Sequence, residues 1–130
     1  MDEDLISRLK QDAEVAAIAR SVSWVSRPKK EDMPGLTLER ISPGRTYTFK
    51  GASRLQDTLV RFNFWGLAAR DIKPLFGATL TLLERPATVG NTDFGMTFLE
   101  GERDFPAEEV PGIGTVFRLG AEFRIWWKPS

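Results

Sequence analysis

The sequence predicts an α+β fold, a mostly antiparallel sheet covered by two helices, in the order helix, two to three strands, helix, two strands. Three observations predict it. An apolar stripe with helical spacing opens the chain, a second one lies in its middle, and two runs alternate with a period of two, at 55–65 and 115–127. With 130 residues, 42% of them hydrophobic and four Trp and nine Phe among them, the chain has the material for one core. A single domain spanning 1–130 is expected.

Residues 3–19 form the first predicted helix. Leu5, Ile6, Leu9, Ala13, Ala16 and Ala17 fall on one stripe at ~100° per residue, and Asp2, Glu3 and Asp4 put acids at the positive end of the helix dipole. Val15 and Ile18 lie off that stripe, so the last turns either bend into the core or present a second apolar surface. Residues 21–26 (Ser-Val-Ser-Trp-Val-Ser) read as a short strand, ended by a charged loop bounded by Pro28 and Pro34. Residues 36–42 alternate as a second strand, and Pro43-Gly44 is a turn.

Segment 45–54 begins with the strand formers Thr46, Tyr47, Thr48 and Phe49 and continues with Lys50, Gly51, Ala52 and Ser53, which oppose strand. A projecting hairpin arm between two strands accommodates both. In 55–65, Thr58, Val60, Phe62 and Phe64 share one face, which predicts the core side, and Leu59, Arg61, Asn63 and Trp65 share the other. A second helix is predicted within 67–84 on the stripe Ile72, Leu75, Phe76, Thr79 and Leu83. Pro74 and Gly77 lie inside it, so it either starts near Arg70 with Pro74 about its first turn or is kinked there. Residues 96–102 and 115–127 complete the fold as an antiparallel pair, joined by an acidic, Pro- and Gly-bearing connection at 103–114.

Composition narrows the chemistry. The chain has no histidine and no cysteine, which removes Ser-His-Asp and Cys-His nucleophile systems, His or Cys zinc sites, thiol redox centres and disulfides. Carboxylates are the plentiful alternative. Glu100, Glu102 and Asp104 are expected on one strand face with Glu108 and Glu109 following, which suits a divalent cation or, more simply, a solvated edge that resists aggregation. Gly112-Ile113-Gly114 lacks the third glycine and helix start of a nucleotide loop, and two Ser-x-x-Lys matches lack the companion motifs of acyl transfer. No enzyme, metal or cofactor is expected. The acidic opening is unlike a basic leader, and no apolar run approaches the ~20 residues of a membrane span, so synthesis in the cytosol and no membrane partner are expected.

The 18 basic and 18 acidic residues are unevenly distributed. Between Arg20 and Arg54 there are eight basic residues against three acids, with Tyr47 and Phe49 interleaved, whereas Glu100 to Glu109 holds five acids and one Arg. A basic stretch with aromatics is what a single-strand nucleic-acid-binding module needs, and anisotropy with a labelled oligonucleotide would then fall steeply with salt. Docking a protein partner uses the same charges. Opposite charges on one chain also suit head-to-tail association with further copies, closing a ring if the rotation allows.

The order of elements and several stretches resemble the tail-completion, or tail-terminator, proteins of long-tailed bacteriophages and of phage-derived gene transfer agents. The stretches are the helix from Asp4-Leu5-Ile6 to Ile18 followed by Val22 to Val25, Met33-Pro34-Gly35-Leu36-Thr37-Leu38-Glu39-Arg40-Ile41-Ser42, Thr58-Leu59-Val60-Arg61-Phe62-Asn63-Phe64-Trp65 running into a helix, and the final strand with Phe123-Arg124-Ile125-Trp126. Pro74 and Gly77 depart from the smooth second helix usual in the family. The resemblance implies a non-enzymatic virion protein. Such proteins form a hexameric ring that caps the head-proximal end of the tail tube, ends its polymerisation and joins it to head-completion or connector proteins, with DNA passing through the lumen without sequence-specific binding. The expected location is the head–tail junction of the particle, preceded by the host cytoplasm. Arg45, Tyr47, Phe49, Lys50 and Arg54 are then expected to contact a neighbouring subunit or the major tail tube protein, with Glu102, Asp104, Glu108 and Glu109 as complementary acidic surface.

Overall fold

Alternating residues build a long twisted sheet in the computed structural model, which describes residues 1–48 and 51–130 and the side chains outside 45–54. Helices α1 (Asp2–Gln11) and α2 (Ala13–Ile18) lead into β1 (Ser21–Trp24), β2 (Gly35–Ser42), β3 (Arg45–Thr48) and β4 (Gly51–Gly66). Helix α3 (Ile72–Leu83) follows, then β5 (Ala87–Val89), β6 (Thr92–Val110) and β7 (Gly114–Pro129). The sheet runs β1-β2-β4-β7-β6-β5, with β3 also paired to β4. All pairs are antiparallel except β1 with β2, which is parallel.

The core lies between one sheet face and the helices. Val60, Phe62 and Phe64 of β4, Leu36 and Leu38 of β2, and Ala121, Phe123 and Ile125 of β7 are fully buried against Leu5 and Leu9 of α1, Val15 of α2 and Leu75 and Leu83 of α3. Phe62 meets Phe123 edge-on at 5.0 Å and Phe64 meets Phe76 of α3 at 5.5 Å, the geometry aromatic quadrupoles prefer. Asp4 ties α1 to the β5–β6 turn, accepting hydrogen bonds from the Asn91 amide (3.2 Å) and the Thr92 hydroxyl (2.6 Å). The guanidinium of Arg8 is buried over the Phe94 ring and donates to the carbonyls of Leu82, in the last turn of α3, and of Arg85, just beyond it. Desolvation lowers its pKa from the usual guanidinium value.

The expected two-helix, mostly antiparallel sheet is corrected in three respects. The first predicted helix breaks at Asp12, whose extended backbone and side chain, accepting from the Val15 amide at 3.0 Å, cap a second helix. The break rotates the chain, so Val15 is buried and Ala13, Ala16 and Ala17 are exposed, the reverse of a continuous stripe. Second, residues 25–34 carry the chain back across the sheet end, which makes β1 parallel to β2. Third, the connection predicted at 103–114 is strand as far as Val110. Pro106 is tolerated there because β6 is bulged between Phe105 and Glu108 and its outer side is unpaired among the described residues. The second helix starts at Ile72, with Pro74 in its first turn, where a missing amide costs nothing.

Candidate assembly interface

Two strand pairs, β3 with the start of β4 and the end of β6 with the start of β7, leave opposite ends of the sheet. β2 and β3 run one after the other along the same side of β4, joined through Pro43-Gly44, with the Asp57 amide donating to the Gly44 carbonyl at 2.9 Å. β4 pairs with β7 from Gln56–Trp127 to Gly66–Phe117, and β3 with the start of β4 continues past the Gln56 end. The β6–β7 hairpin continues past the other end, to Val110–Gly114, and turns through Gly112 and Gly114, both with positive φ. The lone Gly-x-Gly is thus a hairpin turn.

The predicted site residues divide between these ends. Arg45 and Tyr47 lie in β3 and Arg54 in β4, so the backbone forms the expected hairpin arm; their side chains, and Phe49 and Lys50 altogether, lie outside the described residues. Glu102 and Asp104 are on the helix side of β6, where Lys73 of α3 approaches them at 4.0 and 3.6 Å. Glu109 accepts from the Thr115 hydroxyl across the hairpin, and Glu108 pairs in register with Val116. The basic and acidic sets are therefore not neighbours within one chain. The expectation that Glu100, Glu102 and Asp104 share a face fails, because a register shift between Leu99 and Gly101 turns Glu100 to the opposite side. Among the described residues no group of three acidic side chains could hold a metal ion.

The basic stretch is divided too. Arg40 pairs with Asp2 of α1, and Arg27, Lys29 and Lys30 are exposed on the 25–34 crossover. That crossover is pinned at the β6–β7 hairpin's end of the sheet. Met33 packs with Val110 and Val116 beside Trp65, Leu67 and Ile113, and the Ser21 hydroxyl donates to the Asp32 carbonyl at 3.0 Å. This small second core, on the face away from the helices, anchors the tip of the acidic hairpin.

The helix-free face carries Arg61, Asn63 and Trp65, which the alternation in 55–65 sets on the far side of β4, beside charged residues of the neighbouring strands. Arg61 of β4 bridges Glu39 of β2 (3.3 Å) and Glu122 of β7 (2.8 Å), and Arg124 of β7 bridges Asp57 of β4 (3.0 Å) and Glu100 of β6 (2.6 Å). Hydrogen bonds donated to the carboxylates of Glu122 and Glu100, respectively, raise both guanidinium pKa values. Arg118 instead donates twice to Asn63 Oδ1, at 2.9 and 2.8 Å, and lies over the rings of Phe105 and Trp65; burial lowers its pKa. Gly120 gives the Phe105 ring its seat, since a Cβ there would stand 2.9 Å from Phe105 Cε2. Met96, Phe98, Leu55 and Ile41 are exposed apolar residues on or beside the same strands. The signal for this face was the strict alternation in 55–65 and 115–127; what the sequence lacked was the strand register that pairs the charges.

No family model matches the chain, and no curated protein does. Among solved structures, a chain described as "Virion of native gene transfer agent (GTA) particle" superposes with a TM-score of 0.67 at 15% identity, covering 98% of this chain and 94% of that one. The chain therefore shares its fold, over nearly its full length, with a chain of that particle.

Proposed function

We propose that this protein is a structural component of a phage or phage-like particle, forming a ring that caps the head-proximal end of the tail tube, stops tube polymerisation and joins tail to head. The observation that carries the reading is the fold shared across 98% of the chain with a chain of a gene transfer agent particle. The build of the molecule supports it. A basic β3–β4 hairpin and an acidic β6–β7 hairpin leave opposite ends of one sheet, an arrangement suited to heterologous contacts between copies rather than to a two-fold dimer. Its partners are further copies of itself in a hexamer, the major tail tube protein and a head-completion or connector protein. DNA crosses the lumen without base-specific contact, consistent with a chain of zero formal charge. It acts by contact, without catalysis, at the head–tail junction, after a period in the host cytoplasm.

Light scattering at several concentrations tests self-association, and a tube-capping assay tests the role. The expected result is an oligomer near six chains that binds one end of tube protein polymers and halts their growth. A monomer at every concentration that leaves tube growth unaffected would overturn the reading.

A further inference from the structure

Hydrogen-bonded rows can be followed from one side of the sheet to the other. Ser21 pairs with Gly35, Gly35 with Trp65, Trp65 with Arg118 and Arg118 with Phe105. Three further rows join Val22 to Asp104, Ser23 to Arg103 and Trp24 to Glu102, through Leu36, Phe64 and Leu119, through Thr37, Asn63 and Gly120, and through Leu38, Phe62 and Ala121. β1 is one border of the sheet. On the other side β5 covers only Thr92–Phe94, and among the described residues no strand pairs with the remaining outer side of β6. Between its bulges, β6 keeps a regular stretch at 101–105, exposed from 101 to 104, of which 102–105 lie directly across the sheet from β1.

We propose that the outer edge of β1 in one copy pairs with the 101–105 edge of β6 in the next, continuing the sheet from subunit to subunit. This deepens the ring reading and rests on it. The occupant of each edge is a second copy of this chain, for three reasons. The directions fit: β1 runs with β2, and β2, β4, β7 and β6 alternate, so β1 and β6 are antiparallel and stay so when copies are related by rotation about an axis along the strands. The lengths fit, four residues against five. The charges fit: exposed Arg20 precedes β1, and pairing along the rows without slip sets it toward exposed Glu108 and Glu109, with exposed Arg27, Lys29 and Lys30 on the crossover that follows β1. The Pro106 bulge and the acids of β6 also discourage pairing with strands that lack this complement.

The chain's lack of cysteine makes the test clean. Within one chain Ser23 and Arg103 are four strand spacings apart, ~19 Å at ~4.8 Å each, too far for a disulfide, whereas opposed residues of paired strands are within reach. The double variant S23C/R103C is oxidised and run on denaturing gels, beside each single variant and the cysteine-free chain by light scattering. The expected result is a covalent ladder extending beyond dimers for the double variant only, with an equimolar mixture of the two single variants stopping at dimers. Unfolding midpoints like that of the parent show that the variants fold. No ladder from a double variant overturns edge pairing; the ring reading stands if the parent is oligomeric and falls with it if the parent is a monomer that leaves tube growth unaffected. If S23C/R103C does not fold, reversing charge with R20E and restoring it with E108R/E109R decides instead: assembly lost and then recovered supports the pairing, and assembly unaffected by R20E overturns it.

Discussion

The two faces of this sheet are written by alternate residues of the same strands, yet they are held in opposite ways. On the helix-covered face, Phe62, Phe64, Phe123 and Ile125 are removed from water entirely, which at ~25 cal/mol per Å² of apolar surface makes that face the main source of stability. On the other face, Arg61 and Arg124 each sit between two carboxylates with about a third of the side chain exposed, at 34% and 29%. Ion pairs so exposed contribute only about 0–1 kcal/mol each. The lesson is a division of labour: the covered face folds the chain, and the exposed ion pairs of the uncovered face add little, so that face can change without endangering the fold.

Four substitutions sharpen that comparison, from the largest effect to the smallest. Phe62→Ala on the covered face should cost about 4 kcal/mol in denaturant unfolding, because its cavity lies among rings that cannot close over it. Gly44→Ala tests whether the hairpin junction is as intolerant as the core. Gly44 has a φ of 63°, and a Cβ there would lie 1.4 Å from the Asp57 carbonyl oxygen, so a loss of about 3 kcal/mol is expected in the same measurement.

Val25, just past the end of β1, is a β-branched residue at φ 69° and 72% exposed, a conformation and a setting that its side chain does not favour. Val25→Asn should raise the stability of the folded chain by about 1 kcal/mol. A loss of stability instead would mean that the uncovered border contributes to folding as the core does. Arg124→Ala should cost only about 0.5 kcal/mol and respond weakly to salt. A cost near that of Phe62→Ala would erase the distinction between the two faces.

Much of the fold was legible from periodicity. The core residues of β4 and β7 follow from alternation in 55–65 and 115–127, and the hairpin arm at 45–54 follows from strand formers meeting Gly51. The candidate interface was legible only as composition. Basic and acidic stretches are visible along the chain, but Arg40 is spent on Asp2, and Lys29 and Lys30 are carried to the acidic hairpin's end of the sheet, facts that depend on a parallel crossover no local pattern announces. The helix break at Asp12 had a local sign, an N-cap residue followed by Ala-Glu-Val, overridden in the reading by a stripe of alanines that suits either outcome.

By itself the sequence determined which residues are apolar and at what period, hence an α+β fold with one buried face, and it excluded histidine and cysteine chemistry. Those properties are local or additive, so they survive without knowledge of partners. Register, strand direction and border were decided only by the tertiary structure. One bulge after Leu99 moves Glu100 away from Glu102, and four rows across the sheet bring β1 level with 102–105 of β6. The physical reason is that hydrogen-bonded pairing joins residues far apart in the chain, and a shift of one residue, invisible in composition, reverses the face on which every later side chain stands.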